Sequence, residues 1–194
     1  MKAITIKQPY ASLIVEAIKD IENRTWKCPE KYIGKRVMIH AGMGKQLSLQ
    51  SLLTVGQLIE ANKGLDKNAK FNTLFPKGAI IGSVEIVDCV INHPSIWAEK
   101  TDEPLECYTG EEEFGYCTTY NWVLANPIKF KNPLQIKGNP ALWESKCEIL
   151  ICNQCGKYCL HNNKDVGVPN WGNPVHICEH CGNMMLESEF EFLK

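Results

Sequence analysis

Two cysteine pairs near the end of the chain restrict its fold more than any other feature. Cys152-x-x-Cys155 and Cys178-x-x-Cys181 are separated by 22 residues, and a glycine follows each pair. Glycine allows the tight turn in which backbone amides point at a thiolate sulfur. Four thiolates with this spacing match a tetrahedral zinc ion, and the segment has too little apolar surface to fold without one. We therefore predict a zinc-ribbon-like module in which Cys152, Cys155, Cys178 and Cys181 bind Zn2+.

The ligand set and the role of this module leave alternatives open. Four protein thiolates fill every position of a tetrahedral zinc ion, so the predicted role is structural and not catalytic. The cysteines can instead form two redox dithiols or stay unligated thiols, or one ligand can be replaced by a neighbour: Cys159, His161, His176 or His180. The module can stabilise this end of the chain, extend an RNA-binding surface or bind a protein partner. Its acidic charge argues against the RNA-binding surface.

The chain has ten cysteines but no feature of a secreted or membrane protein. The sequence MKAITIKQPY does not have the form of a signal peptide, and no apolar run is long enough to span a membrane. We therefore expect a cytoplasmic protein, in a reducing compartment and without membrane contact. Five cysteines are interpreted as thiols unrelated to the metal site: Cys28, Cys89, Cys107, Cys117 and Cys147.

Charge is distributed unevenly along a chain whose formal net charge is −1. Residues 99–113 contain seven acidic residues and one lysine, and residues 147–194 contain six acidic residues and three lysines. The rest of the chain has 17 lysines and arginines against nine acidic residues, a difference of +8. A basic body suits an anionic partner such as RNA or a nucleotide, although ordinary lysine-rich solvation explains the excess equally well.

The apolar periodicity changes within residues 7–26, KQPYASLIVEAIKDIENRTW. Residues 3–7 alternate as a strand does, and a helix is predicted from Gln8-Pro9 because proline suits the first helical position. Apolar residues then recur at helical spacing as far as Ile18. From Ile21 the period becomes two, which predicts one strand face for three side chains: Glu22, Arg24 and Trp26.

Further strands and one long loop complete the pattern. Strands are predicted at 36–41, 79–91, 120–125 and 128–136, and a helix at 47–61. Residues 92–119 are predicted to form a loop that holds the acidic run. Many strands and few helices favour a mainly β (α+β) class, with a small β-barrel or a strongly bent sheet and peripheral helices at its ends. Because cysteine density rises after residue 146, we predict two domains, 1–146 and 147–194.

A series of short motifs adds to this pattern. In chain order they are Gln8-Pro9-Tyr10-Ala11, Lys19-x-x-Glu22-x-Arg24 with Trp26, Gly34-Lys35-x-Val37-x-Ile39-His40-Ala41, Gly78-x-Ile80-x-Gly82-x-Val84-Glu85, Asn121-Trp122, Lys137-Gly138 and Leu142-Trp143. Together they resemble the ASCH domain family, small β-barrels related to the PUA domains of RNA-modifying proteins, over about residues 3–143. One departure is Ala17, because the family usually has glycine two residues before the motif lysine.

The resemblance implies a PUA-like barrel with a cleft near the first helix, and RNA or nucleotide ligands. One bacterial branch of the family resembles amidohydrolases that remove an acyl group from a modified cytidine, using a lysine, a threonine and a glutamate. Lys19 and Glu85 match two of these residues, and Glu22 occupies the position of the threonine. A carboxylate can act as a base on water, but a threonine nucleophile cannot be carried over. Catalysis by Lys19, Glu22 and Glu85 therefore stays an alternative to binding alone.

A nucleobase pocket needs rings for stacking and a few fixed donors and acceptors. The predicted ligand-binding residues are Tyr10, Lys19, Glu22, Arg24, Trp26 and Lys137. The competing interpretation is a surface ion-pair network at a helix end, which contributes little energy. Burial preferences place Trp122 and Trp143 in the core, and His40 on a half-buried strand is typical of a structural histidine.

Overall fold

The structure is a computed structural model. It describes residues 1–45, 48–66, 68–101, 105–108, 114–162 and 175–193, with the backbone alone at 71–72, 105–108 and 114–117. Most of the acidic run 99–113 and the side chains of Cys107 and Cys117 lie outside the described residues.

Most elements of the chain are strands, which confirms the predicted mainly β class. The strands are β1 (Lys2–Ile6), β2 (Ile21–Arg24), β3 (Lys35–Ala41), β4 (Ala79–Val90), β5 (Leu105–Tyr108), β6 (Phe114–Cys117), β7 (Tyr120–Gln135), β8 (Leu142–Glu144), β9 (Cys147–Ile151), β10 (Tyr158–Asn162), β11 (Val175–Ile177), β12 (Met184–Leu186) and β13 (Glu191–Phe192). The helices are α1 (Tyr10–Val15), α2 (Leu49–Leu52), α3 (Val55–Gly64) and α4 (Phe71–Leu74). Within the part of the chain that the structure describes, no helix is long and apolar enough to cross a membrane.

Six strands form one curled sheet, a half-barrel, in the order β2-β7-β4-β3-β1-β8. β1 and β3 are parallel, and the other neighbours are antiparallel. Trp122 on β7 lies directly opposite Glu22 on β2 and is fully buried, so the core assignment of this tryptophan is confirmed. Trp143 is 9% exposed and also packs in the core. The edge strand β2 therefore carries the predicted site residues beside the interior of the half-barrel.

The helix α1 ends earlier than its sequence pattern predicts. It stops at Val15, and Ala17 adopts the left-handed conformation with φ 60°. The carbonyl of Leu13 then accepts the backbone N–H groups of Ile18 and Lys19, at 2.9 and 3.0 Å. Ala17 thus makes the turn for which the family uses glycine, and the chain enters β2 in the expected way.

Three predicted elements differ from the structure. The helix expected at 47–61 is two helices, because Thr54 caps α3 in a capping box with Gln57 and ends α2 before it. The two strands expected on either side of Asn126-Pro127 are one strand, β7, in which Asn126 has φ 48° beside shifts in register with β4. The predicted loop at 92–119 contains a hairpin of β5 and β6.

The described part of the segment that follows the half-barrel forms two smaller sheets, and the sheet that contains β9 packs against the half-barrel. β9 lies between β10 and β13, and β11 pairs with β12. Ile149 of β9 belongs to the same apolar cluster as Ala3, Met38 and Phe130. This contact joins the cysteine-rich segment to the half-barrel through a shared core. The division into domains 1–146 and 147–194 stays a prediction.

Candidate functional site

A cavity of about 300 Å3 lies beside α1, at the start of β2. Tyr10, Lys19 and Glu22 line one side, and Trp97 with Glu99 forms the wall contributed by the segment that follows β4. Leu52, Thr54 and Gln57 close it from α2 and the start of α3. Of the predicted ligand-binding residues, the structure brings Tyr10, Lys19 and Glu22 together in this first cavity.

Lys19 and Glu22 form a buried ion pair in the first cavity. Lys19 is 5% exposed and Glu22 8%, with 3.7 Å between Nζ and the nearer carboxylate oxygen. The ammonium also donates to the carbonyl of Ile21 and lies 5.6 Å from the ring centre of Tyr10. Burial lowers the pKa of Lys19, and the negative charge of Glu22 opposes this shift. The surface ion-pair interpretation is therefore wrong for this pair, since water is largely excluded from both groups.

Arg24 and Trp26 do not line the first cavity. The Arg24 guanidinium lies 3.0 Å from Glu22 and donates to the carbonyl of Thr5 at 2.9 Å. Its Nε is buried and has no hydrogen-bond partner among the described residues. The Trp26 ring meets Trp122 edge-on at 4.6 Å. These two residues hold Glu22 and the strand in place, and their role as ligand contacts stays a prediction.

The wall formed by Trp97 and Glu99 depends on Asn121, which belongs to the motif Asn121-Trp122, and on Asn23, which no motif contains. Asn121, fully buried on β7, donates to Asn23 at 2.9 Å and to the carbonyl of Glu99 at 3.1 Å. Asn23 donates to the carbonyl of Trp97 at 2.9 Å and accepts the N–H of Glu99 at 3.1 Å. The asparagine pair thus fixes the backbone of this wall. The motif Asn121-Trp122 and a tryptophan within a polar loop were the available signals.

Two predicted site residues lie away from the first cavity. The Glu85 carboxylate accepts from Arg36 and from Asn126, each at 2.7 Å, and it is not among the residues that line the cavity. The Asn126 amide and the Arg36 guanidinium lower the pKa of Glu85, although partial burial opposes them. Lys137 is exposed in the turn after β7. The structure therefore does not assemble Lys19, Glu22 and Glu85 into one catalytic group.

His40 is held as a structural histidine, as predicted. It is buried on β3, and its Nε2 lies 3.0 Å from the carbonyl of Ile136. Burial lowers the pKa of His40, and the bond to Ile136 opposes that shift. Gly138 allows the turn to pass over the imidazole, because a Cβ at this position would lie 2.2 Å from the ring.

The four predicted metal ligands form one cluster in the structure. The sulfur atoms of Cys152, Cys155, Cys178 and Cys181 all lie within 4.8 Å of one another. Two of the sulfur pairs, Cys152 with Cys181 and Cys155 with Cys178, are 3.7 Å apart. Tetrahedral zinc with bonds of about 2.3 Å places its sulfurs about 3.75 Å apart, so the cluster fits this ion. Cys159 lies 3.6 Å from the Cys178 sulfur, outside the set of four.

Sequence comparison decides the family. The profile of the ASCH domain matches residues 4–134, which include the half-barrel strands from β1 to β7 and the first cavity. The chain belongs to the ASCH domain family. The buried Lys19–Glu22 pair of this ASCH chain lies within the matched residues, and its cysteine cluster lies beyond them.

Two proteins are similar to this chain over most of its length. Activating signal cointegrator 1 of Mus musculus is 27% identical over 163 residues, which are 84% of this chain and 25% of that protein. The Homo sapiens protein of the same name is 27% identical over 169 residues, with the same coverage. The ASCH chain thus spans about a quarter of the length of these relatives. A crystal structure of a mutant ASCH protein from Zymomonas mobilis has a TM-score of 0.42 and 16% identity, covering 75% of this chain and 88% of that chain.

Proposed function

We propose that this ASCH protein binds RNA or a nucleotide, and that the first cavity holds one base. The observation that carries the proposal is the cavity itself, where the Tyr10 ring and the buried Lys19–Glu22 pair face a wall ending in Trp97 and Glu99. Its volume of about 300 Å3 lies at the lower end of the range for small-ligand sites.

The chemistry of this cavity suits a base better than a phosphate. Lys19 is the one cation among the described residues that line it, and its ammonium is engaged by Glu22 and the Ile21 carbonyl. The groups left for a ligand are the Tyr10 ring and the Glu99 carboxylate, because the Thr54 and Gln57 side chains are engaged in the capping box and at the Ile96 carbonyl. A ring supports stacking, and carboxylate oxygens accept hydrogen bonds from the edge of an unpaired base.

Titration of labelled single-stranded and hairpin RNAs at two salt concentrations tests the proposal. Affinity should fall steeply as salt rises, because phosphate contacts release counterions. Tyr10→Leu should weaken binding about 5- to 100-fold, since stacking contributes about 1–3 kcal/mol per base. Tyr32→Leu is the matched control, because Tyr32 is a partly buried tyrosine beside Lys31 and does not line the first cavity.

Two results would overturn the proposal. Absence of RNA and nucleotide binding even at low salt would reject it altogether. Equal effects of the Tyr10 and Tyr32 substitutions would reject the first cavity as the base site while leaving RNA binding intact. Circular dichroism of both variants shows whether either substitution has damaged the fold.

A hydrolase that acts on a modified nucleoside or on RNA is the second candidate function. It is favoured by the lowered pKa of the buried Lys19 beside Glu22, because perturbed groups of this kind cluster at working sites. The reaction would depend on Lys19 and Glu22, since Glu85 is bound to Arg36 and Asn126. Turnover of acylated cytidine or an RNA panel tests it. Activity that Lys19→Ala leaves unchanged would exclude this site.

We also propose that Cys152, Cys155, Cys178 and Cys181 bind a structural Zn2+. The sulfur spacing supports a tetrahedral ion, and four protein thiolates leave no position for substrate. The ion would hold together small sheets that have little core of their own. A protein partner of this module is a further proposal. Co-purification of a partner that persists after Cys152→Ser would reject it.

A further inference from the structure

RNA binding needs cations that are available to phosphate oxygens. The first cavity does not supply them. Lys19 is engaged by the Ile21 carbonyl and Glu22, and Arg24 is engaged by Glu22 and the Thr5 carbonyl. If the first cavity holds a base, the phosphates that accompany that base must bind elsewhere on the surface.

A second cavity, of about 270 Å3, lies on the opposite side of α1. Ser12, Val15 and Glu16 line it from α1 and its end, about half a helical turn away from Tyr10. Its apolar floor is formed by Leu74, Pro76 and Pro133, over Ile81 and Phe130, which are themselves only 3% and 1% exposed. The second cavity therefore offers an apolar surface close to the helix that also lines the first cavity.

Two lysines stand at the second cavity. Lys129 pairs with Glu16, and its side chain is 52% exposed. The Lys131 ammonium donates to the backbone carbonyl of Glu179 at 2.5 Å. An exposed ion pair contributes about 0–1 kcal/mol, so the Lys129 ammonium can turn to a phosphate at small cost. Lys131 is exposed, and its ammonium has two further N–H groups beside the one that it donates to Glu179. These lysines differ in this respect from Lys19, whose ammonium is enclosed.

The part of β7 that carries the two lysines is hydrogen-bonded to a residue of the cysteine-rich segment. The Glu179 carboxylate accepts the backbone N–H groups of Lys131 and Asn132, at 3.3 and 3.1 Å. Glu179 lies between Cys178 and Cys181, so it belongs to the second cysteine pair itself. The cysteine-rich segment thus fixes the backbone at the second cavity without placing its own acidic surface in the cavity wall.

We propose that the second cavity binds a nucleotide that flanks the one in the first cavity, with its base on the apolar floor and its phosphate on Lys129 and Lys131. The proposal rests on the proposed RNA-binding function. An apolar floor beside paired cations matches a nucleotide, which combines a flat, weakly polar base with a negative phosphate. For a single strand, each lysine that contacts a phosphate adds about 0.7 to the slope of log affinity against log salt concentration.

The test compares two double variants in the full chain. Lys129→Ala with Lys131→Ala should weaken binding of a single-stranded RNA of about ten nucleotides roughly 10-fold and reduce the salt slope by about 1.4. Lys2→Ala with Lys63→Ala is the matched control, because both lysines pair with exposed glutamates and lie outside both cavities. Binding of a free nucleoside should be the same in both double variants. The methyl resonances of Val15 and Ile81 should shift when the RNA binds.

The results separate failure of this proposal from failure of the proposed function. Absence of RNA binding by the unmodified protein removes both. RNA binding that the two double variants weaken equally, or Val15 and Ile81 resonances that do not move, overturns the second site alone. Polyglutamate that displaces the RNA from the unmodified protein with equal affinity would assign the lysines to an acidic protein instead, and it would also overturn the second site.

Discussion

Glu179, between two of the clustered cysteines, accepts the backbone N–H of Asn132 on β7 at 3.1 Å. The other carboxylate oxygen accepts the N–H of Lys131, so one side chain satisfies two amides in the middle of a barrel strand. A carboxylate that accepts from neighbouring amides forms charge-assisted hydrogen bonds, which are stronger than neutral ones. The sequence-distant cysteine cluster and the half-barrel are therefore joined by polar contacts as well as by the apolar packing of Ile149.

Glu179→Ala should release this contact. The free energy of unfolding should fall by about 1–3 kcal/mol, because two strand amides lose a charged acceptor. Hydrogen exchange at Lys131 and Asn132 should become faster than in the parent protein. Glu187→Ala is the control, since Glu187 is exposed and should leave both rates unchanged. Unchanged exchange in the Glu179 variant would contradict the contact.

Gly138→Ala should destabilise the protein by about 1–3 kcal/mol, as overpacking does in a filled interior. The added Cβ would lie 2.2 Å from the Cε1 atom of His40, and that ring is already fixed by Ile136. Gly44→Ala is the control because a Cβ there meets no atom within 4 Å. Urea denaturation of both variants measures the difference, and equal midpoints would show that the turn can move away from His40.

Ala17→Gly should stabilise the protein, which is an unusual direction for a change to glycine. Ala17 has φ 60°, where a Cβ costs roughly 1–2 kcal/mol, and the gain is reduced by about 0.4–1 kcal/mol of added freedom in the unfolded chain. The expected net gain is about 0.5–1 kcal/mol. Ala61→Gly, inside α3, should have the opposite sign. Thermal unfolding of the two variants provides the test, and a loss in both would mean that Ala17 is not strained.

The sequence predicted those parts of the molecule whose pattern is local. Alternation identified β3 and β4, and the spacing of Cys152 to Cys181 predicted the sulfur cluster. It could not predict the wall at Trp97, because that wall is fixed by Asn121 through Asn23, 98 residues away along the chain. Nor could it show that Glu85 is engaged by Arg36, since strand alternation gives the face of a side chain but not its partner.

His40 should make stability depend on pH in mildly acidic solution. Burial lowers its folded pKa below the ordinary value of 6.5. Above pH 6.5 the imidazole is neutral in both states, and as the pH falls below 6.5 the unfolded chain takes up the proton first. The free energy of unfolding should therefore fall from pH 6.5 toward the lower folded pKa. His40→Gln should lack this part of the slope below pH 6.5, whereas His93→Gln should retain it. Equal slopes in the two variants would contradict the assignment.

Removal of the metal should destabilise the cysteine-rich segment much more than the half-barrel. The protein should contain one zinc per chain, and Cys152→Ser should lose it because three thiolates and a hydroxyl make a poorer site. Hydrogen-exchange protection of residues 147–162 and 175–193 should then collapse, since metal binding supplies much of the folding free energy of a segment this small. The half-barrel should remain folded but lose stability, because Ile149 and Glu179 no longer hold their places against it.

Cys89→Ser is the control, as its thiol is separate from the cluster and accepts only the N–H of Cys28 among the described contacts. Equal zinc content in the parent and in Cys152→Ser would contradict the structural role of zinc. So would a parent protein that is purified without metal and is still fully protected at 147–162 and 175–193.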